Sequence, residues 1–129
     1  MEVYHSATSN GAKVDQWTNN GTKTQKWLIT GDAVTNRWSL VNVNSSKCLD
    51  DSGKIADYVQ MTQWTCEDNN SNQIFGLFAT DHNYFTIRPF DGRGTYCVEV
   101  KNSSFSDGAP VDEYHCNGTW TQQWIRYAA

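Results

Sequence analysis

Residues 111–116 read VDEYHC, and residues 122–124 read QQW. The same pattern occurs as VDQWTN at 14–19 with QKW at 25–27, and as MTQWTC at 61–66 with QIF at 73–75. In each copy an aromatic residue stands two positions before Cys or Asn, and a Gln stands two positions before a second aromatic residue. These closing aromatic residues, Trp27, Phe75 and Trp124, are 48 and then 49 positions apart. A fixed period in this range indicates a repeat architecture.

An acidic residue precedes each copy at a similar distance. It stands in the segments MEV at 1–3, CLDD at 48–51 and CVEV at 97–100. Each repeat therefore carries an acidic residue, an aromatic residue 14 to 15 positions later, and a Q-x-aromatic box.

The composition limits the classes of partner. A chain of 129 residues is long enough for one domain with a hydrophobic core, so we expect residues 1–129 to form a single domain. The net charge is −4 and the basic residues are scattered, which argues against a nucleic-acid partner. The sequence has no run of 18 or more apolar residues, so we expect no membrane insertion.

The four cysteines fall into two pairs, each inside one repeat and separated by 18 and 19 positions: Cys48 with Cys66, and Cys97 with Cys116. This spacing predicts one local hairpin disulfide in each of these repeats, and hence an oxidising, extracellular compartment. A metal site is the alternative, but the sequence has no C-x-x-C and its three histidines are dispersed, so we expect no metal. The first repeat has Asn19 in place of Cys and should lack a bridge.

Short alternating runs between Asn, Asp, Gly, Ser and Thr clusters predict strands separated by turns. The predicted strands are Glu2–Tyr4, Lys13–Trp17 and Lys26–Thr30 in the first repeat; Trp38–Val43, Lys47–Asp50, Val59–Thr65 and Gln73–Ala79 in the second; and Tyr84–Pro89, Tyr96–Lys101, Val111–His115 and Gln123–Tyr127 in the third. Four strands per repeat in a threefold array predict an all-β fold, the β-trefoil, with repeats at about 1–30, 31–80 and 81–129.

The first repeat is short at its N-terminal side. It lacks a counterpart of Trp38–Val43, so eleven strands are recognisable where a β-trefoil has twelve. Two explanations remain open: the repeat is truncated, or a neighbouring chain, such as a second copy, supplies the strand.

The Q-x-aromatic boxes, the CLD and CVEV openings and the aromatic residue two positions before Cys together resemble the R-type lectins. These are the ricin B-chain-like β-trefoils, which include the family 13 carbohydrate-binding modules. The resemblance covers the whole chain. It implies non-catalytic, multivalent and individually weak binding of galactose-type or plant cell-wall glycans without a cofactor. It also implies a role as a module of a secreted glycoside hydrolase, with a catalytic domain as partner.

The resemblance implies three sugar-binding sites, each with an acid, an aromatic residue and polar residues beside them. The implied residues are Glu2, Asp15, Trp17 and Asn20 in the first repeat; Asp50, Thr62, Trp64 and Asn72 in the second; and Glu99, Asp112, Tyr114 and Asn117 in the third. The boxes are implied to be structural: Gln25 and Trp27, Gln73 and Phe75, and Gln122 and Trp124. The chain departs from the family pattern in having Thr62, Thr24 and Thr121 where Gln, Asn and Asn are common.

The chemistry of these residues suits a sugar. A sugar ring offers an apolar patch of C–H groups, which stacks on an aromatic face, and vicinal hydroxyls, which donate to a carboxylate. Two alternatives remain. Glycosidases also use two carboxyl groups, but the acids here recur on three separate hairpins, so we expect no catalysis. The third class is a protein-interaction or inhibitor β-trefoil that binds no sugar.

Overall fold

The computed structural model describes residues 1–92 and 94–127 and contains eleven short strands. The strands are β1 (Glu2–Val3), β2 (Val14–Asp15), β3 (Trp27–Asp32), β4 (Arg37–Asn42), β5 (Cys48–Asp50), β6 (Val59–Gln60), β7 (Thr62–Trp64), β8 (Phe75–Ala79), β9 (Phe85–Pro89), β10 (Tyr96–Val100) and β11 (Val111–His115). Single 3-10 turns occupy Tyr4–Ser6, Lys23–Gln25, Ser71–Gln73, Asp81–Asn83, Phe90–Gly92, Lys101–Ser103 and Trp120–Gln122. None of the described helices is long and apolar enough to cross a membrane.

The strands form the β-trefoil that the repeats predict. Three antiparallel hairpins recur, β1 with β2, β5 with β7 and β10 with β11. The longer strands form the barrel: β3 pairs with β4, β4 with β8, and β8 with β9. The segments at and just before the second strands of the three hairpins also pair with one another, through Lys13 with Thr62, Asp15 with Pro110, and β11 with β6, which directly precedes β7. Each hairpin therefore contacts both of the other repeats.

The residue that opens each copy of the sequence pattern lies at the centre of the core. Val14, Met61 and Val111 are fully buried and belong to one cluster with Leu49 and Val98. Phe75 of the second box is also fully buried. The core thus forms where the three repeats meet. This is expected for a repeat protein, because a single repeat cannot bury its own apolar face.

The box tryptophans are only partly buried. Trp27 and Trp124 pack against the core and donate from Nε1 to the carbonyls of Met1 at 3.1 Å and Val98 at 3.0 Å. The threefold pattern explains why both rings are partly exposed. The second and third repeats each contribute an equivalent strand, β4 and β9, and the matching strand of the first repeat would lie between β3 and Trp124. Among the described residues the first repeat has no such strand.

Two predicted strands differ from the structure for related reasons. The predicted strand Val59–Thr65 is divided at Met61, because β6 pairs with β11 whereas β7 pairs with β5. The predicted strand Gln123–Tyr127 is wrong: within it only Trp124 forms a bridge, with Phe85. A strand needs a partner along its length, and the partner that the threefold pattern would provide is the one that the first repeat lacks.

Both predicted disulfides are confirmed. Cys48 is bonded to Cys66 and Cys97 to Cys116, each with Cα atoms 5.1 Å apart. Each bridge ties the first strand of a hairpin to the segment just after its second strand. Closing loops of this length stabilises the fold by about 3 kcal/mol per bridge on a chain-entropy estimate.

Candidate functional site: three equivalent hairpin sites

The hairpin register brings the predicted acids together with the residues opposite them. Glu2 is paired with Asp15, Asp50 with Thr62 and Glu99 with Asp112. Directly opposed residues of an antiparallel pair have Cβ atoms about 5 Å apart. The first and third hairpins therefore each carry two adjacent carboxyl groups, whereas the second carries one carboxyl group and one hydroxyl.

The predicted aromatic residue follows two positions after the second member of each pair. Side chains two positions apart on a strand lie on the same face, so each ring lies beside its acid. Trp17 is 43% exposed and Trp64 44% exposed, while Tyr114 is half-buried. Each ring therefore has a free surface on which an apolar patch could stack.

The box glutamine holds the acid in place in all three repeats. From Nε2, Gln25 donates to Glu2 at 3.0 Å, Gln73 to Asp50 at 3.1 Å and Gln122 to Glu99 at 3.3 Å. The same nitrogens each donate, at 2.9 Å, to the carbonyl of Thr18, Thr65 or His115. The Gln thereby fixes the acid relative to the end of the second strand.

The other side of the same amide fixes the loop. The Oε1 atoms of the three box glutamines accept from the backbone N–H of Asn20, Glu67 and Asn117, each at 2.9 Å. In the first and third repeats the predicted Asn occupies this position. In the second repeat Glu67 does, a residue that the sequence reasoning missed although it follows Cys66 as Asn117 follows Cys116.

The predicted Asn72 lies elsewhere, immediately before the box glutamine. Its carbonyl accepts from the N–H of Asp51 at 3.0 Å, and its side-chain amide lies against the turn at Gly53. Thr24 and Thr121 occupy the same position in the other repeats and donate from Oγ1 to the carbonyls of Val3 and Val100, at 3.0 and 2.6 Å. This position therefore ties the box to the hairpin in every repeat.

The acids on the second strands of the first and third hairpins, Asp15 and Asp112, have raised pKa values. Asp15 and Asp112 are 3% and 1% exposed, and none of their carboxyl oxygens has a hydrogen-bond partner. Burial, followed by the charge of Glu2, raises the pKa of Asp15 to about 6. Burial and then the adjacent carboxyl group of Glu99 raise the pKa of Asp112 to about 8. In both hairpins a second negative charge beside the first-strand acid is therefore disfavoured, so the second-strand acid resists ionisation.

A loop from the preceding repeat completes each site. The backbone N–H of Thr18, Thr65 and His115, just after the stacking ring, donates to a side chain of that loop: to Asp107 at 2.7 Å, to Asn10 at 2.7 Å and to Asp57 at 2.8 Å. These three loop residues were missed. In the sequence, each of these residues begins a dipeptide at an equivalent position of its repeat: N-G at 10–11, D-G at 107–108 and D-Y at 57–58.

Glutamine also anchors two of these loops from the strand below. Gln16 donates to the carbonyls of Ser104 and Ser106 at 2.7 and 3.0 Å, and Gln63 to those of Ala7 and Ser9 at 3.0 and 2.9 Å. In the third repeat the equivalent residue is Glu113. It accepts from the N–H of Ala56 at 3.3 Å, and its other oxygen is buried without a partner. Burial raises the pKa of Glu113 to about 8.

The first site forms a shallow groove. Glu2, Trp17 and Asn20 line it together with His5 and Thr24, while the buried Asp15 lies opposite Glu2 on the neighbouring strand. Within the described part of the chain, no group of three or more His, Cys, Asp and Glu side chains could hold a metal ion. A ligand at this groove would meet one acid, one aromatic face, an imidazole, and hydroxyl and amide groups.

The sequence matches the ricin-type β-trefoil lectin domain-like family over residues 1–64 and 23–114. The chain belongs to this family. No curated protein matches it significantly in sequence. Among solved structures, this ricin-type domain is similar to ThreeFoil, a designed threefold-symmetric protein: the two are 29% identical with a TM-score of 0.88, over 96% of this chain and 86% of ThreeFoil.

Two natural proteins share the fold of this ricin-type domain. The Rhizoctonia solani agglutinin is 22% identical with a TM-score of 0.83, over 96% of this chain and 82% of the agglutinin. The exo-β-1,3-galactanase 1,3Gal43A from Clostridium thermocellum is 25% identical with a TM-score of 0.85, over 96% of this chain. Only 26% of the galactanase is covered, so the ricin-type domain corresponds to one part of a longer enzyme.

Proposed function

We propose that this chain is a non-catalytic, multivalent carbohydrate-binding domain that recognises galactose-type or plant cell-wall glycans. The observation that carries the proposal is the repetition of one arrangement three times: an acid held by a box glutamine beside a partly exposed aromatic ring. A sugar presents hydroxyls and an apolar face side by side, and this arrangement offers a partner for each.

Three features support a binding role over a catalytic one. Glycosidases place two carboxyl groups on either side of the bond that they cleave. Here the two acids of a pair are directly opposed on one hairpin, and the acid on the second strand is buried. An acid beside an aromatic ring recurs in all three repeats, whereas the second acid is missing from the second repeat, where Thr62 stands opposite Asp50.

The proposed context is a secreted glycoside hydrolase. Two disulfides fit an oxidising, extracellular location. The similarity to one part of an exo-β-1,3-galactanase supports a role beside a catalytic domain, with a galactose-containing polymer as the shared target. The net charge of −4 and the absence of a basic patch argue against nucleic acid as the partner.

A glycan array followed by calorimetry tests the proposal. The chain should bind a defined set of plant or galactose-type polysaccharides. Each single site should bind the corresponding monosaccharide with a Kd of about 0.1–1 mM, because a shallow groove buries little of the sugar. The control is a triple variant, Trp17→Ala with Trp64→Ala and Tyr114→Ala, which should bind no glycan. A protein-interaction or inhibitor role would instead be favoured if the wild type bound no glycan on the array.

A further inference from the structure

The loop beside the third site differs from the other two at one position. Gly11 and Gly108 follow Asn10 and Asp107, with φ angles of 83° and 84°. The equivalent residue after Asp57 is Tyr58, with φ of 67°. All three are in the left-handed region, which glycine adopts freely but which is strained for a bulky residue.

The backbone conformation is the same because the same hydrogen bond holds it. The N–H of Gly11 donates to the carbonyl of Gln63, that of Gly108 to Gln16, and that of Tyr58 to Glu113, each at 2.8 Å. Glycine would therefore fit at position 58 without strain. Because the left-handed backbone does not favour tyrosine over glycine, the reason for a tyrosine at position 58 must lie in what its side chain contacts.

The Tyr58 ring lies at the third site. Its centroid is 4.9 Å from that of Tyr114, the predicted stacking residue, and the two planes are inclined by 57°. In the other repeats a Cβ atom added to Gly11 or Gly108 would lie 3.9 or 3.8 Å from the ring of Trp64 or Trp17. A side chain at this position of the loop therefore always meets the edge of the stacking ring.

The ring also keeps a free surface. Tyr58 is 51% exposed, although the ammonium group of Lys101 lies over one face of the ring, 5.4 Å from its centroid, so the surface left for a ligand is the rest of the ring. Lys101 belongs to the turn that follows Glu99, so the ring is placed between the aromatic and the acidic sides of the third hairpin. A ring that only filled space would lose most of its surface to packing, as Phe75 does.

We infer that Tyr58 is a specificity-determining residue that extends the third site to a second sugar residue. The inference rests on the proposed function. One sugar residue stacks on Tyr114 beside Glu99, and the next stacks on the exposed face of Tyr58. Because the two rings are inclined, the second sugar is turned relative to the first. The first and second sites, with glycine at this position, hold a single sugar residue.

Site-resolved NMR titration of the full chain tests this inference. The indole N–H signals of Trp17 and Trp64 report the first and second sites, and the backbone amide of Asn117 reports the third. The probes are galactose, xylose and arabinose with their β-linked disaccharides and trisaccharides. For a sugar that binds, the third site should gain about tenfold in affinity from monosaccharide to disaccharide, a gain of the size of one aromatic stacking contact. The other two sites should gain less than about twofold.

The decisive variant is Tyr58→Gly, which gives the third loop the residue of the other two. It should abolish the disaccharide gain at the third site and leave monosaccharide affinity within about twofold. Its melting temperature should stay the same or rise, because glycine relieves the left-handed strain. Tyr58→Phe is the matched control and should keep the gain.

The possible outcomes distinguish a failure of the Tyr58 inference from a failure of the proposed function. If sugars bind but Tyr58→Gly leaves the disaccharide gain intact, Tyr58 serves only to pack Tyr114 and this inference is overturned while the proposed function stands. If Tyr58→Gly instead lowers monosaccharide and disaccharide affinity equally, the ring only orients Tyr114, and the inference is again overturned. If none of the probes binds at any site, the inference fails together with the galactose-type and plant-glycan assignment.

Discussion

Individual residues in each repeat divide into a group that faces the groove and a group that builds the hairpin. Trp64 is 44% exposed and lies two positions after the residue opposite Asp50, whereas Phe75, the aromatic residue of the same repeat's box, is fully buried. Both look alike in the sequence as aromatic residues at a fixed period. Because one ring is exposed and the other is buried, removing Trp64 should affect binding, whereas removing Phe75 should affect stability.

If the proposed function is correct, replacing Trp64 by Ala should lower sugar affinity at the second site by about 1–2 kcal/mol, because the proposal places the apolar face of the sugar on this ring. The melting temperature should change little. Phe75→Ala is the matched contrast: it should cost about 3–5 kcal/mol of unfolding free energy, since it empties a closed part of the core. Calorimetric titration and urea unfolding measure the two effects. The assignment of roles would be wrong if Trp64→Ala unfolded the domain and Phe75→Ala affected binding alone.

Glu113 provides a residue-scale prediction about pH. Burial raises its pKa to about 8, so the folded chain keeps a proton that the unfolded chain releases near pH 4. The folded state therefore binds more protons than the unfolded state between about pH 4 and 8, and stability should fall as the pH rises through this window. Asp112, with its pKa raised to about 8, adds to the same trend.

Glu113→Gln should remove part of that trend. An uncharged amide here can donate to the second-repeat loop, as Gln16 and Gln63 donate to theirs. We expect a gain of about 1–3 kcal/mol in unfolding free energy at pH 8, and little change at pH 4. The reverse change Gln63→Glu is the control and should make a second loop sensitive to pH. Urea unfolding at several pH values checks both, and parallel profiles for wild type and Glu113→Gln would contradict the account.

At the scale of elements, the box turn and the hairpin act as one unit. Gln73 joins Asp50 on β5, the carbonyl of Thr65 after β7 and the N–H of Glu67. Gln73→Ala would remove this partner from the buried carboxyl group of Asp50 and from the two backbone groups, so we expect a loss of about 1–3 kcal/mol of unfolding free energy. Binding at the second site should weaken because Asp50 is no longer fixed. NMR titration should show the first and third sites unchanged; an equal loss at all three would mean that the box acts on the whole fold.

The sequence predicts the hairpins well because their determinants are local. The acid, its partner across the hairpin and the stacking ring lie within about 15 positions, and strand alternation places Asp15 and Trp17 on one face. The contacts between repeats are harder to predict from the sequence. Asp107 reaches Thr18 and Asp57 reaches His115 across 89 and 58 positions, and no local pattern specifies such pairings. The division of β6 from β7 has the same origin, since the strand changes partner between repeats.

The degree of burial of each side chain is also not determined by the sequence pattern. Alternation shows that Asp15 and Asp112 share a face with the stacking rings, but it does not reveal that the threefold meeting of hairpins encloses them almost completely. The first-strand acids, Glu2, Asp50 and Glu99, are also buried, at 6, 5 and 4% exposed, and Glu2 lines the groove of the first site. Their box glutamines could be predicted from the resemblance, whereas the burial that raises the pKa values of Asp15 and Asp112 required the three-dimensional structure.

The whole molecule presents its three sites on one threefold frame, so polymer binding should depend on how many sites work. Linked contacts raise the affinity for a polymer by about a hundredfold or more over a single site, when the glycan can reach several sites at once. Trp64→Ala should lower the monosaccharide stoichiometry from three to two, with little effect on the affinity of the remaining sites. The same change should weaken polymer binding by about tenfold, because one linked contact is lost.

A matched comparison separates avidity from simple loss of a site. Trp17→Ala should reproduce the effect of Trp64→Ala, since both remove one ring of similar exposure from equivalent hairpins. The double variant should then bind the polymer about as weakly as the third site alone binds a short oligosaccharide. Calorimetry with monosaccharide and polysaccharide on all four proteins gives the numbers. Equal affinity of the wild type for monosaccharide and polymer would show that the sites act independently and that the threefold arrangement brings no gain.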